Sequence, residues 1–206
     1  MSKSKGENLS TVKSAVKMMG NHIINSVEDL EDEKIKEVID QILNTKKNEK
    51  KIFLLGAGRS GLVGRAFAMR LMHLGLNVFV VGETNTPSVE KGDILVVVSG
   101  SGETQSVVGL AQIGKHLGAK IISITSNPNS TSARIADVLI VLGVKVNTDD
   151  MDYLERQVRG THRPLPPLGT LFEMTSMIFL DGVVAALMQI TKKSAEDLKR
   201  RHTTLE

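Results

Sequence analysis

Two short stretches rich in glycine and serine carry the residue types best suited to bind a ligand. "GAGRSG" begins at Gly56 and "SGSGET" begins at Ser99, and each follows an apolar run. Together they offer four hydroxyl groups, on Ser60, Ser99, Ser101 and Thr104. Small hydroxyl side chains and the unpaired backbone N–H groups at the start of a helix favour an anion. The pattern therefore predicts a cup for a phosphate monoester.

Other ligands and a purely structural role also fit these stretches. Gly56, Gly58 and Gly61 have the G-x-G-x-x-G spacing of a dinucleotide-binding turn, and Glu83 stands where an acid could hold a ribose. Ordinary strand-to-helix turns also use glycine for tight packing, a serine or threonine as the helix cap, and an acid such as Glu103 in the first turn. Two such loops on adjacent strands favour the phosphate, and neither contains the G-x-x-x-x-G-K-[ST] pattern of a P-loop.

The elements that must position the two loops follow from the hydrophobic pattern. Five apolar runs, "KIFLL", "NVFVV", "DILVVVS", "KIISIT" and "VLIVLG", alternate with helical patterns. This alternation predicts an α/β fold, a doubly wound five-stranded parallel sheet flanked by helices. Ligands of such sheets bind outside the carboxyl ends of the strands near the point where strand order reverses, and both loops fall there. Residues 10–43 read as two amphipathic helices.

We expect one domain over residues 1–206. It comprises N-terminal helices in 1–48, the sheet core in 49–145, and a loop with C-terminal helices in 146–206. The last segment contains about 20 mostly apolar residues that begin "TLFEM", interrupted by Glu173 and Asp181, which argues against a membrane span. A helix that is apolar on nearly all sides must be buried, which suggests contact between subunits. Ser194-x-x-Asp197 predicts a capping box that opens the last helix.

Composition narrows the classes of function. The net charge is only +3 with interspersed signs, and aromatic residues make up 3%, so a nucleic-acid surface is not indicated. Cysteine is absent, which excludes disulfides and thiolate metal sites and fits a reducing compartment. The first residues lack an apolar signal segment, so we expect a cytoplasmic protein without a membrane partner. The chain has no H-E-x-x-H motif, and we expect neither a metal nor a cofactor.

The spacing of the two loops resembles the sugar isomerase (SIS) domain family. In that family the hydroxyls of both loops hold a sugar phosphate, which implies substrate binding by Ser60, Ser99, Ser101 and Thr104 together with the neighbouring Gly58, Arg59 and Gly100. Arg59 also fits a surface position beside the loop. Three further stretches, "PLGTLFE" at 167–173, "TP" at 86–87 and the terminal "RHTTLE", resemble the 6-phospho-3-hexuloisomerases within the family.

That resemblance implies an enzyme and a reaction. Members isomerise D-arabino-hex-3-ulose 6-phosphate to fructose 6-phosphate through an enediol or enediolate, after formaldehyde fixation in the ribulose monophosphate pathway. It also implies a homo-oligomer, with a tetramer favoured. Glu173 is implied as the catalytic base, although Thr170-x-x-Glu173 also reads as a capping box. His202 is implied as a second catalytic residue, which SIS enzymes often take from a neighbouring subunit, but it also fits a plain cationic C-terminal turn.

Several alternatives stay open from the sequence. The same scaffold serves isomerases of arabinose 5-phosphate and sedoheptulose 7-phosphate, and non-catalytic sensors that bind a sugar phosphate. Sensors usually carry a DNA-binding segment ahead of the SIS domain, whereas the first fifty residues here show no basic recognition helix. No motif fixes a role for His162, and we expect structural or surface roles for His22, His73 and His116.

Overall fold

The computed structural model describes residues 3–143, 167 and 169–202, and its five strands lie at the five apolar runs, with a helix between successive strands except between the second and the third. Two helices come first, α1 (Lys3–Glu28) and α2 (Asp32–Lys47). The central part contains β1 (Lys51–Gly56), α3 (Gly58–His73), β2 (Asn77–Val80), β3 (Ile94–Val98), α4 (Gln105–His116), β4 (Lys120–Thr125), α5 (Thr131–Ile135) and β5 (Val138–Val141). The described chain ends with α6 (Thr170–Thr191) and α7 (Ala195–Arg200).

The five strands form one parallel sheet in the order β2-β1-β3-β4-β5. Strand β1 pairs with β2 on one side and with β3 on the other, so the order reverses between β1 and β3. All five residues of β3 are buried, because helices cover both faces of the sheet. The predicted doubly wound five-stranded parallel sheet is confirmed, and its order is the flavodoxin-like one.

Helices form one layer on each side of the sheet. On one face α2, α3 and α6 pack against the strands through side chains such as Ile42, Leu71 and Leu180. On the other face α4 and α5 pack against Phe53 and Val97. Full burial of one such aliphatic or aromatic side chain contributes roughly 1.5–3 kcal/mol. Because β1 and β3 are directly paired, their carboxyl ends lie side by side, with Gly56 opposite Val98.

Helix α6 is the one helix, among those described, that is long and apolar enough to cross a membrane by length and composition. It packs between α1, α2 and α3, and nine of its residues are buried. Asp181 lies on its outer side, 3.8 Å from Nε of Arg70. The outer side also exposes Met174 and Ile178, so one apolar strip of the helix stays uncovered in the single chain.

The last helix, α7, begins where the sequence predicts. The Ser194 hydroxyl accepts a hydrogen bond from the Asp197 N–H, and the Asp197 carboxylate accepts one from the Ser194 N–H. The predicted capping box is confirmed. The hydrogen bonds from the Ser194 backbone and side chain, with one from Arg200, lower the pKa of Asp197 to about 2.

Candidate active site

The first loop is shaped by close contact between backbones. A Cβ atom on Gly61 would lie 2.9 Å from the carbonyl oxygen of Gly56, and one on Gly56 would lie 3.0 Å from that of Val98. Gly58 has a positive φ of 56°, which glycine adopts without strain. The close backbone packing of β1, β3 and α3 thus explains the glycine spacing, and no dinucleotide is needed to account for it. Glu83, the proposed ribose ligand, pairs with Arg65 of α3.

The second loop folds back over itself at the end of β3. The Ser99 N–H extends the sheet by donating to the Ile124 carbonyl at 3.0 Å. The Gly102 N–H donates to the carbonyl oxygen of Ser99 at 3.1 Å and lies 3.2 Å from its hydroxyl. Gly102 has a positive φ of 64°, so the tight turn requires a glycine here. The loop therefore has one compact conformation directly beside the first.

The helices that start at these loops, α3 and α4, have no side-chain cap from the described residues on their first N–H groups. Within the described residues, no side chain caps α3 after Ala57, α4 after Thr104 or α6 after Gly169. In contrast, Ser130 caps α5 and Ser194 caps α7. Helix α2 also lacks a side-chain cap, but two acidic residues stand in its first turn. Open N–H groups and the positive helix ends of α3 and α4 at one edge of the sheet favour a bound anion.

The four hydroxyl residues are not equivalent in the structure. Ser99 is only 4% exposed, and its hydroxyl lies 3.5 Å from that of Thr104 and accepts from the loop itself. Ser60, Ser101 and Thr104 are half-buried at the surface of the two loops. The Ser101 hydroxyl accepts from the Glu103 N–H at 3.2 Å, which leaves its own hydrogen for a ligand. Ser99 therefore shapes the loop, and the other three lie nearer to solvent.

The start of α6 reaches both loops and brings Glu173 to them. A Cβ atom on Gly100 would lie 3.1 Å from the ring of Phe172, so the second loop touches the first turn of α6. Nε of Arg59, in the first loop, donates to Oε2 of Glu173. The Glu173 side chain is 12% exposed and that of Arg59 is 59% exposed. The structure thus joins Arg59, Gly100 and Glu173, which lie far apart in sequence.

The capping-box interpretation of Thr170 and Glu173 is wrong. Gly169, with a positive φ of 79°, precedes the helix and Thr170 is its first residue. The Glu173 carboxylate turns to Arg59, and its Oε1 would lie 3.1 Å from a Cβ atom on Gly169. A glycine at this position gives the carboxylate room beside the end of the helix.

His202 does not join Glu173 within its own chain. Its ring centroid lies 5.2 Å from that of His73, the last residue of α3. Helix α3 starts at the site and has 16 residues, so these histidines lie about 24 Å along the helix from the loops. A catalytic role for His202 stays a prediction that requires a neighbouring subunit. His162 lies outside the described residues.

The other histidines fit structural or surface positions. His73 is buried, and its pKa is lowered by burial and by the nearby His202 and Arg70. His22 is half-buried, and burial lowers its pKa, whereas His116 is exposed. The part of the chain that the structure describes holds no group of three or more His, Asp and Glu that could bind a metal.

Sequence reasoning missed the loop after β4 as part of this region. The carbonyl oxygen of Gly100 accepts from the Thr125 hydroxyl at 3.1 Å and from the Ser126 hydroxyl at 2.7 Å. The Ser126 N–H donates to the same oxygen at 3.0 Å. The polar run "TSNPNSTS", which directly follows an apolar strand, was the available signal.

Known proteins resemble this chain in sequence and in fold. The SIS domain model matches residues 47–150, which include both loops. The 3-hexulose-6-phosphate isomerase of Mycobacterium gastri is 38% identical over 199 residues, 93% of this chain and 96% of that protein. The one of Methanocaldococcus jannaschii is 41% identical over 172 residues, 84% of each chain. A crystal structure from Methanococcus jannaschii, for which the same activity is inferred, has a TM-score of 0.77 at 38% identity and covers 94% of this chain and 99% of its own.

Proposed function

Since the chain belongs to the SIS domain family and is a sugar-phosphate isomerase, we propose that it converts D-arabino-hex-3-ulose 6-phosphate to fructose 6-phosphate. The observation that carries the proposal is the Arg59–Glu173 ion pair, which sets a carboxylate against two loops suited to a phosphate. The names of the relatives over most of the chain support this choice of sugar.

The reaction moves the carbonyl group from C3 to C2. Glu173 removes the proton from C2, which gives a C2=C3 enediol or enediolate, and returns a proton to C3. The hydroxyl proton on O2 leaves as the C2 carbonyl forms, and O3 gains a proton, so atoms and charges balance. Oε2 of Glu173 accepts from Arg59, and we assign the proton transfer to Oε1. A positioned carboxylate is an ordinary general base for this step.

Arg59 has two roles in this proposal. Its guanidinium holds the carboxylate of Glu173 in place, and its positive charge lies where negative charge develops on the enediolate oxygens. Because Arg59 is 59% exposed, its guanidinium can contact a bound substrate while its Nε stays on Glu173. The phosphate binds to Ser60, Ser101 and Thr104 and to the open N–H groups of α3 and α4.

The substrate itself limits the chemistry that is needed. A 3-ketose whose O6 is phosphorylated cannot close a five-membered ring through that oxygen, so it stays open-chain. Ring opening then concerns only fructose 6-phosphate, and a dedicated acid such as His202 is less essential than in aldose–ketose isomerases.

We further propose that the reaction follows formaldehyde fixation in the ribulose monophosphate pathway and takes place in the cytoplasm. The absence of cysteine fits a reducing compartment of this kind.

A substrate panel tests the proposal. The purified protein is incubated separately with hexulose 6-phosphate, arabinose 5-phosphate and sedoheptulose 7-phosphate, and products are identified by chromatography against standards. We expect fructose 6-phosphate from the first, at a rate unchanged by EDTA. Faster turnover of either other sugar would assign the chain to that isomerase class. Binding of sugar phosphates without turnover, together with a DNA gel shift, would favour the sensor.

A further inference from the structure

The second loop, residues 99–104, is tied to α5 by two hydrogen bonds that its own turn does not need. Oε1 of Glu103 accepts from the Thr131 N–H at 2.7 Å, and the carbonyl oxygen of Gly102 accepts from the Ser132 N–H at 3.0 Å. The side-chain and backbone hydrogen bonds from Thr131, with a smaller effect of Arg134, lower the pKa of Glu103. The carboxylate is therefore held ionised with its charge at the start of α5.

Three buried serine hydroxyls pack against the second loop and fix its position relative to α5. Ser123, Ser130 and Ser132 have no exposed surface, and the Ser132 hydroxyl lies 3.1 Å from that of Ser123 and 3.3 Å from that of Ser130. A Cβ atom on Gly102 would overlap the Ser130 hydroxyl and lie 2.6 Å from that of Ser132. The loop thus contacts this cluster directly at Gly102, and the hydrogen bond of Glu103 to Thr131 holds the C-terminal part of the loop.

Glu103 is an acidic residue in a loop that we expect to bind a doubly charged phosphate, so its own negative charge could weaken that binding. Like charges at close range disfavour each other, so a free Glu103 carboxylate at the rim would weaken phosphate binding. Its bond to Thr131 turns the carboxylate toward α5, while its backbone N–H donates to the Ser101 hydroxyl at 3.2 Å. Glu103 therefore connects α5 with Ser101, one of the hydroxyls that we assign to the phosphate.

We propose that Glu103 is a positioning residue for the phosphate, which acts through its bond to Thr131 by fixing the second loop and by keeping its own charge out of the cup. This inference rests on the proposed function, because it assumes that the loop binds the substrate phosphate. Glu103 touches neither the sugar nor the reacting carbons in this scheme. Its loss should change substrate affinity far more than the rate at saturation.

Variants on both sides of the bond test the inference by calorimetric binding of fructose 6-phosphate and by kcat and KM. Glu103→Ala should weaken binding about tenfold, since it removes a charge-assisted hydrogen bond that holds the second loop. Glu103→Gln keeps an acceptor for Thr131 and should stay within about threefold of wild type. Thr131→Pro removes the donor at the first helical position, where proline is tolerated, and should weaken binding at least as much as Glu103→Ala. In each case kcat should change less than KM.

The double variant separates the two effects of the carboxylate. Once Glu103→Ala has removed the charge, adding Thr131→Pro should weaken binding little further, so the two changes should be strongly non-additive.

Asp137→Ala is the matched control, because Asp137 also accepts a backbone hydrogen bond, from the Ile121 N–H at 2.8 Å. This bond lies at the start of β4, away from the two loops. It should lower the melting temperature and leave fructose 6-phosphate binding unchanged.

The outcomes distinguish this inference from the function that it assumes. Unchanged affinity in Glu103→Ala and Thr131→Pro, with only a lower melting temperature as in Asp137→Ala, would overturn the positioning role. If wild type binds fructose 6-phosphate but does not isomerise hexulose 6-phosphate, the proposed reaction is wrong and the affinity series still decides the role of Glu103. If wild type binds neither fructose 6-phosphate nor inorganic phosphate, both proposals fail.

Discussion

Glu173 is the residue on which the proposed chemistry depends. Glu173→Gln keeps the size and an acceptor oxygen but removes the base, so kcat should fall by about 100-fold or more, since general base catalysis contributes typically 10²–10⁴-fold. KM should stay within about threefold, because the phosphate loops are untouched. Steady-state kinetics with hexulose 6-phosphate measure both constants. Asp181→Asn, on the outer side of the same helix, is the control. Turnover of Glu173→Gln near the wild-type rate would reject the assignment.

Arg59 offers a second test with a closely matched control. Arg59 and Arg65 both lie on α3, both are more than half exposed, and each pairs with a glutamate. Arg59→Ala should lower kcat/KM at least tenfold, because it removes the positive charge beside Glu173 and the developing oxyanion. Arg65→Ala should change kcat/KM less than twofold, since surface ion pairs contribute little. Equal effects of the two substitutions in the same assay would show that Arg59 has no special place in the reaction.

At the scale of elements, the sheet and the position of the two loops at its carboxyl edge could be predicted, because both follow from local sequence patterns. Apolar runs mark strands covered on both faces, and glycine spacing marks the turns after β1 and β3. The sequence could not separate Ser99 from Ser60, since only the folded loop turns one hydroxyl inward. Nor could it tell whether Glu173 caps its own helix or faces the first loop, because its partner Arg59 is 114 residues away in sequence. Contacts of that range are set by packing rather than by local pattern.

The stability of the protein should depend on pH through His73, the last residue of α3. Burial, followed by the charges of His202 and Arg70, lowers the pKa of His73. A lowered folded-state pKa means that the unfolded chain binds the proton more tightly, so stability is complete above the unfolded pKa of about 6.5 and is lost as pH falls below it. Urea unfolding at pH 7.5 and 5.5 should show this loss in wild type and a smaller one in His73→Gln. His22, whose pKa is also lowered, is present in both proteins and cancels in the difference. An identical pH dependence in the two proteins would contradict this origin.

At the scale of the whole molecule, the single chain leaves apolar surface uncovered. Met174 and Ile178 of α6 are 40% and 44% exposed, and α1 exposes Val12 and Val16 at 61% and 59%. A groove of about 340 Å³ between α1, α2 and α6 is lined almost entirely by apolar side chains. Exposed apolar side chains together with an apolar groove are typical of an interaction surface, which supports the expected homo-oligomer. Light scattering should give a multiple of 22.4 kDa, and a mass equal to one chain would remove the expectation.

The position of His202 leads to a prediction that only an oligomer can satisfy. Because His202 lies at the opposite end of α3 from Glu173 in its own chain, any catalytic role must be in the site of a neighbouring subunit. With fructose 6-phosphate as the substrate, whose ring must open, a chain truncated after Arg200 should then assemble but lose activity, and Glu173→Gln should be nearly inactive. Refolding the two together should restore activity in about one quarter of the sites, since mixed neighbours pair an intact Glu173 with an intact tail. Full activity of the truncated chain alone would exclude the tail from the site, and inactive mixtures would show that no site is shared between subunits.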